Sequence, residues 1–189
     1  MHRRAFIALA GSTLAAYPAV AAPRKYLLDR ENSVVGFTYQ MNGSPVTGRM
    51  PVKSADIVLD VDRPSTSKVS AEINAARANA GLFFATEAMK SRSVLNTSRF
   101  PTIRFQSVKI TGTVRSARMI GQLTVRDITE EIALDTVLYR QRGTEEGDRR
   151  KLSILMTAQI DRRRFGAAGF PSIVAPMIRL QILTRITLA

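Results

Sequence analysis

The sequence predicts an all-β protein: an elongated antiparallel barrel of eight strands, interrupted by one short helical excursion around residues 76–98. Three observations carry that expectation. Apolar and polar residues alternate with a period of two over most of the chain, the pattern of strands with one buried and one wet face. Turn residues separate the alternating runs at short spacing, so neighbouring strands are antiparallel. Several runs reach roughly a dozen residues, about 40 Å at the rise of an extended chain. Strands that long leave two edges in an open sheet, and closure into a barrel removes both.

The elements follow in order. Ser33–Met41 precedes Asn42-Gly43, a pair that takes the left-handed backbone of a two-residue hairpin. Pro45–Val52 and Ser54–Val61 come next, the second with Ala55, Ile57, Leu59 and Val61 on one face. Asp62-Arg63-Pro64-Ser65 is a turn by residue chemistry and leads into Lys68–Asn74. The stretch from Ala75 to Pro101 lacks alternation: Ala75–Ala80 is alanine-rich, Thr86–Ser91 reads as a helical turn or two, and Pro101 drives Phe100 extended. So long an insertion in a sheet is a cap or a functional element. Alternation resumes in Thr102–Thr111, Thr113–Val125, Glu130–Gln141, Arg149–Asp161 and Pro176–Leu188. In the last run Ile178, Leu180, Ile182, Ile186 and Leu188 share one face, opposite Arg179, Gln181 and Arg185. With no repeat, linker or low-complexity tract, residues 24–189 read as one domain.

Residues 1–21 read as an export signal that is cleaved. Arg3 and Arg4 give a basic start, Ala5 to about Tyr17 an apolar run too short to span a bilayer, and Ala19-Val20-Ala21 the small residues of a cleavage site. Arg3-Arg4-Ala5-Phe6-Ile7 also resembles a twin-arginine signal, against the plainer alternative of an ordinary basic start. A retained anchor helix is the alternative to cleavage. The whole chain carries a formal charge of +13. Cleavage removes Arg3, Arg4 and the single histidine, His2, and leaves about +11. A mature chain without Cys or His cannot build a disulfide, a Cys- or His-ligated metal site, a Ser-His-Asp triad or a histidine base. Glu87, Asp127 and Asp161 are the carboxylates nearest the motifs quoted below, and none has an acid–base partner in sequence. A binding protein rather than an enzyme is expected, with no metal and no resident cofactor.

Four segments carry a family resemblance. Tyr26-Leu27-Leu28-Asp29 followed by Ser33-Val34-Val35-Gly36-Phe37 is similar to a Y-x-L-D…H-S-x-V-x-F opening, with Gly48-Arg49-Met50 where Gly-x-Phe is usual. The run Lys90–Phe105, with Phe100-Pro101-Thr102-Ile103-Arg104-Phe105 at its end, resembles a helix followed by a K-x-P-x-I-x-F strand entry. Gly121-Gln122-Leu123-Thr124-Val125-Arg126-Asp127-Ile128-Thr129 resembles G-x-L-T-[IV]-R-G-[VI]-T, with Asp127 at the usual glycine, a residue that tolerates a left-handed turn. Asp161-Arg162-Arg163-Arg164-Phe165-Gly166 resembles x-R-x-D-[FW]-G, with Arg164 at the usual acid. In this order and spacing the motifs resemble the YceI-like family of polyisoprenoid- or lipid-binding proteins, over about Tyr26 to Leu188. The resemblance implies a lipocalin-like barrel with an apolar channel for an isoprenoid lipid, an isoprenoid quinone or a similar amphiphile, in a periplasmic protein.

A channel gains affinity from the length of tail it buries, about 0.8 kcal/mol per methylene, so its lining must be apolar and leave the bore open. The candidate ligand-binding residues are Phe37 and Tyr39, then Phe83, Phe84 and Met89 in the excursion, Ile103 and Phe105 after Pro101, and Leu123 and Val125. Ile154, Met156, Phe165, Phe170 and Ile182 complete the set. Ordinary core packing is the alternative for each, since alternation shows which residues share a face and not which face is inside. Phe83-Phe84 reads either as a gate over the channel mouth or as a clamp on the barrel end. Two basic groups, Arg140/Arg142/Arg149/Arg150/Lys151 and Arg162-Arg163-Arg164, read either as a contact for an anionic membrane surface or as solvated charge. A nucleic-acid partner is not expected, because no binding motif accompanies the charge. A homodimer stays open. An envelope stress-related interaction protein with a packed barrel and no ligand is the rival reading.

Overall fold

The computed structural model describes residues 22–113 and 115–189. The leader expected over residues 1–21 lies outside them. Among the described residues, eight strands close an antiparallel barrel in which each strand pairs with its sequence neighbours and the last returns to the first. They are β1 Arg24–Met41, β2 Ser44–Leu59, β3 Lys68–Asn74, β4 Thr102–Thr113, β5 Ser116–Val125, β6 Ile128–Arg140, β7 Lys151–Asp161 and β8 Met177–Leu188. One α-helix, α1, spans Phe83–Lys90 inside the β3–β4 connection, and 3-10 turns cover Pro64–Thr66 and Arg162–Phe165.

Differences from the sequence reading have local causes. The separate strands expected at Pro45–Val52 and Ser54–Val61 are one strand, β2, with a bulge between Val52 and Ser54 in its pairing with β3. The bulge reverses which parity faces inward, from Met50 and Val52 before it to Ala55, Ile57 and Leu59 after it. A second bulge, between Ser107 and Lys109 in the β4–β5 pairing, does the same between Phe105 and Ile110. The helix starts at Phe83, three residues before the expected turn at Thr86. Thr86 anchors that start: its Oγ1 donates to the Leu82 carbonyl at 2.8 Å and accepts from the Ala80 N–H at 2.9 Å.

Asn42 (φ 49°) and Gly43 (φ 77°) are both left-handed, the conformation the β1–β2 hairpin requires. In the β5–β6 turn the left-handed residue is Arg126 (φ 59°), not Asp127. Its Nη1 donates to the Gly166 carbonyl at 2.5 Å and to the Val94 carbonyl at 3.4 Å, so contacts from two other connections hold a conformation that costs a non-glycine residue energy.

The connections sort the barrel into two ends. The β1–β2 hairpin, the excursion with α1, the β5–β6 turn and the β7–β8 connection cluster at one, called here the helix end. The β2–β3, β4–β5 and β6–β7 connections lie at the open end. The excursion leaves β3 at Asn74 and returns at Thr102, closed by Pro101 accepting from the Ala75 and Ala76 N–H groups. It docks on β2 through reciprocal backbone bonds between Arg49 and Asn79, at 2.8 and 2.9 Å.

Candidate ligand-binding bore

The inward faces of the strands do not fill the barrel. An apolar cavity of about 260 Å³ runs from Asp60, Val61 and Pro64 at the open end to Arg162 and Phe165 at the helix end. Its polar lining is confined to Asp60, Ser67, Thr113, Thr136, Thr184 and Arg162. A second cavity, of about 220 Å³, lies under α1 and the β7–β8 connection, between Tyr39, Ala85, Ala88, Phe170 and Val174. Phe37, Met89, Val94, Arg162 and Ile178 line both and form the wall between them.

Thirteen of the fourteen candidate residues line these spaces. Ile103, Phe105, Leu123, Val125, Ile154, Met156, Phe165 and Ile182 face the long cavity; Tyr39, Phe84 and Phe170 face the second; Phe37 and Met89 face both. Phe83 lines neither and is 85% exposed. The reason is helical geometry. With α1 starting at Phe83, the stripe Ala85, Ala88 and Met89 turns inward, Phe84 stands half out at the edge of the second cavity and Phe83 falls outside it. The pair neither clamps the barrel end nor covers the bore: Phe84 edges the second cavity and Phe83 stands in solvent.

Two aromatic–glycine contacts keep the bore open. Phe37 pairs across the ladder with Gly48, and its ring lies where a Gly48 Cβ would sit, 2.6 Å from Cε2. Phe105 covers Gly121 in the same way. Each ring lies against the wall because the glycine has no side chain, and so does not project across the bore. A Cβ on Gly48 would also come within 2.6 Å of the Asn79 carbonyl oxygen. Gly48→Ala is therefore expected to turn the Phe37 ring into the bore and to destabilise the fold by about 1–3 kcal/mol, the usual cost of overpacking. A lowered thermal midpoint together with reduced lipid uptake checks it.

Arg162 is the residue that sequence reasoning missed. It is only 7% exposed and carries no carboxylate partner among the described residues. Instead it donates to four backbone carbonyls of the β7–β8 connection: Nε to Ala175 (3.1 Å), Nη1 to Ala167 (2.5 Å) and Gly169 (2.7 Å), and Nη2 to Val174 (2.7 Å). Desolvation pulls its pKa below the ordinary guanidinium value. Its neighbour Arg163 turns outward and pairs with Asp161 at 2.6 Å, and Arg164 pairs with Glu130. The basic group at 140–151 lies at the open end, where Arg149 pairs with Asp62 at 2.7 Å and Arg150 with Asp148 at 2.9 Å. The two basic groups therefore occupy opposite ends and form no joint surface.

The carboxylates of these pairs fix the pH response. Hydrogen bonds from the Arg163 side chain and N–H hold Asp161 at a pKa of about 2. Arg149 lowers Asp62, Arg150 lowers Asp148 and Lys53 lowers Glu72. At Asp60 burial works to raise the pKa, and bonds from the Arg63 N–H, the Thr66 hydroxyl, the Arg63 side chain and the Asp62 N–H outweigh it, leaving it lowered. A depressed folded-state pKa contributes stability above the unfolded value, near 4, and loses it as pH falls through the folded value. The thermal midpoint is expected to stay level from pH 8 to 5, where no described side chain is a histidine, and to fall between about pH 4 and 2. Thermal melts across that range check it; a transition near pH 6 contradicts it.

The fold has solved counterparts. Burkholderia cenocepacia BcnA superposes with a TM-score of 0.73 at 16% identity, covering 84% of this chain and 98% of that one. A polyisoprenoid binding domain from Saccharophagus degradans gives 0.63 at 10% identity, covering 88% and 99%. In sequence, a UPF0312 protein of Shewanella baltica (strain OS195) is 28% identical over 139 residues, 71% of this chain and 72% of that protein. One from Pseudomonas aeruginosa (strain LESB58) is 26% identical over 138 residues, with 72% of each chain covered. The YceI-like domain model matches residues 26–186, the whole barrel from the start of β1 nearly to the end of β8, and the chain belongs to that family.

Proposed function

We propose that this protein is an exported, periplasmic carrier that holds an isoprenoid-type lipid or an isoprenoid quinone in its bore, without catalysing a reaction on it. The observation that carries the reading is the long apolar cavity, open at the scale of a hydrocarbon chain and polar only near its ends and at two threonines. An unbranched stack of apolar walls gains free energy with every methylene it takes from water, at about 0.8 kcal/mol each, and needs no reactive side chain. The polyisoprenoid binding domain with the same fold supports the choice of ligand class. The packed-barrel rival requires a filled interior, and the two cavities speak against it. Export rests on the leader-like residues 1–21.

Native mass spectrometry and lipid extraction of the protein purified from its own host test the reading. A co-purifying polyprenol, polyprenyl ester or quinone is the expected result. Protein that emerges empty, and that then ignores added polyprenols and quinones, contradicts it.

A further inference from the structure

We propose that the helix end of the barrel docks on the surface of an anionic phospholipid bilayer, with Phe83 and its neighbours entering the headgroup region over the mouth of the second cavity. Among the described residues, large apolar side chains stay exposed at Leu27, Val108 and Tyr139, scattered over the barrel, and in one concentration at the helix end. That concentration is Leu82, Phe83 (85%), Phe84 (63%), Phe170 (42%), Ile173 and Met177. The two connections that carry it are one surface, since the Gly169 N–H donates to the Ser93 carbonyl at 2.8 Å. Phe84, Phe170 and Ile173 also line the second cavity, so the exposed patch is continuous with its wall. Phe170 holds its ring there from a left-handed backbone (φ 56°), a conformation that bulky residues avoid.

Charge selects the partner. At the helix end Arg163 and Arg164 are matched by Asp161 and Glu130, and Lys90 by Glu87. Arg77, Arg92 and Arg99 remain exposed, with no carboxylate partner among the described residues. The open end is basic as well, since beyond its ion pairs Arg24, Lys68, Arg115, Arg140, Arg142 and Lys151 outnumber Glu145 and Glu146, but it lacks the concentration of exposed aromatics that the helix end carries. Uncompensated cations around exposed aromatics are the composition of a segment that lies in an anionic membrane interface. Docked this way, a lipid tail would pass between bilayer and barrel without crossing water. The inference rests on the carrier reading for its purpose. Its test measures partition of the protein alone, so failure here leaves the ligand-extraction result standing.

The chain has no tryptophan, so Phe83→Trp supplies a single reporter at the helix end and Tyr139→Trp a control at the open end. Each is mixed with vesicles of phosphatidylglycerol and phosphatidylcholine, or of phosphatidylcholine alone, with and without brominated acyl chains. The expected result is a blue shift and bromine quenching for Phe83→Trp on the anionic vesicles only, weakening several-fold as salt rises, with Tyr139→Trp unchanged. In sedimentation with the same vesicles, the double variant Phe83→Ser/Arg92→Glu should partition at least tenfold less while melting as the parent does. No shift, equal quenching at both reporters, or binding indifferent to lipid charge overturns the proposal. So does a vesicle-free dimer that Phe83→Ser dissolves, since the face would then be an interface between copies.

Discussion

Arg162→Met should lower stability by about 3–5 kcal/mol, near 10 °C in melting midpoint for a chain of this size, and should loosen the β7–β8 connection from residue 167 to 175. Among the described residues no other side chain donates to the Ala167, Gly169, Val174 and Ala175 carbonyls, which converge on the guanidinium from one irregular stretch. Four carbonyl dipoles aimed at one cation offset the cost of burying it, and bonds to a charged donor are stronger than neutral ones. Methionine keeps much of the volume and none of the donors, so the carbonyls lose their partner in a site with little access to water. Arg162→Lys retains the charge on a single ammonium that cannot span all four and should recover only part of the loss. Because Arg162 stands in the wall between the cavities, the variant should also change the chain length of lipid that the protein prefers. Thermal melts and amide exchange at residues 167–175 read the first effect, and competition between short and long prenyl alcohols reads the second. A variant as stable and as selective as the parent would refute the assignment.

Ala71→Phe should abolish lipid uptake, by a hundredfold or more, while leaving the protein as stable as the parent or more so. Ala71 faces the long cavity from β3, between Ala55 of β2 and Phe105 of β4. A phenyl ring there grows into open space rather than into packed atoms, so the penalty for overpacking is absent and filling the void adds contacts. A core that exists only to stabilise the fold would respond in the opposite way, with stability falling and no ligand to lose. Melting and loading measured on the same sample separate the two.

The strands were legible because a period of two needs no knowledge of the partner strand. Six of the eight, β3 to β8, begin and end within a few residues of the alternation that announced them. What the pattern could not carry is the sense of each face, because a bulge near Lys53 and another near Val108 reverse it within a strand that reads as continuous or as two pieces. The excursion was legible as an interruption, yet its helix begins at two phenylalanines that read as loop residues, and the one-turn error put Phe83 in the bore. Arg162 was hidden in a run of three arginines that reads as surface charge. Its signal was positional: Asp161 and Arg163 pair with each other on the outside of a tight turn, which leaves the residue between them to face in. The glycines that Phe37 and Phe105 cover, Gly48 directly across the ladder and Gly121 two residues along from the Leu123 opposite Phe105, are visible in sequence only once the ladder register is known.

The central claim is that the length of an apolar bore does the recognising. The most direct test is an equilibrium titration of delipidated protein with prenyl alcohols of increasing chain length. Each added isoprene unit brings several more carbons out of water, so affinity should climb about tenfold or more per unit until the bore is full and then level off. Affinity that does not depend on chain length, or that is set by the head group alone, would contradict it.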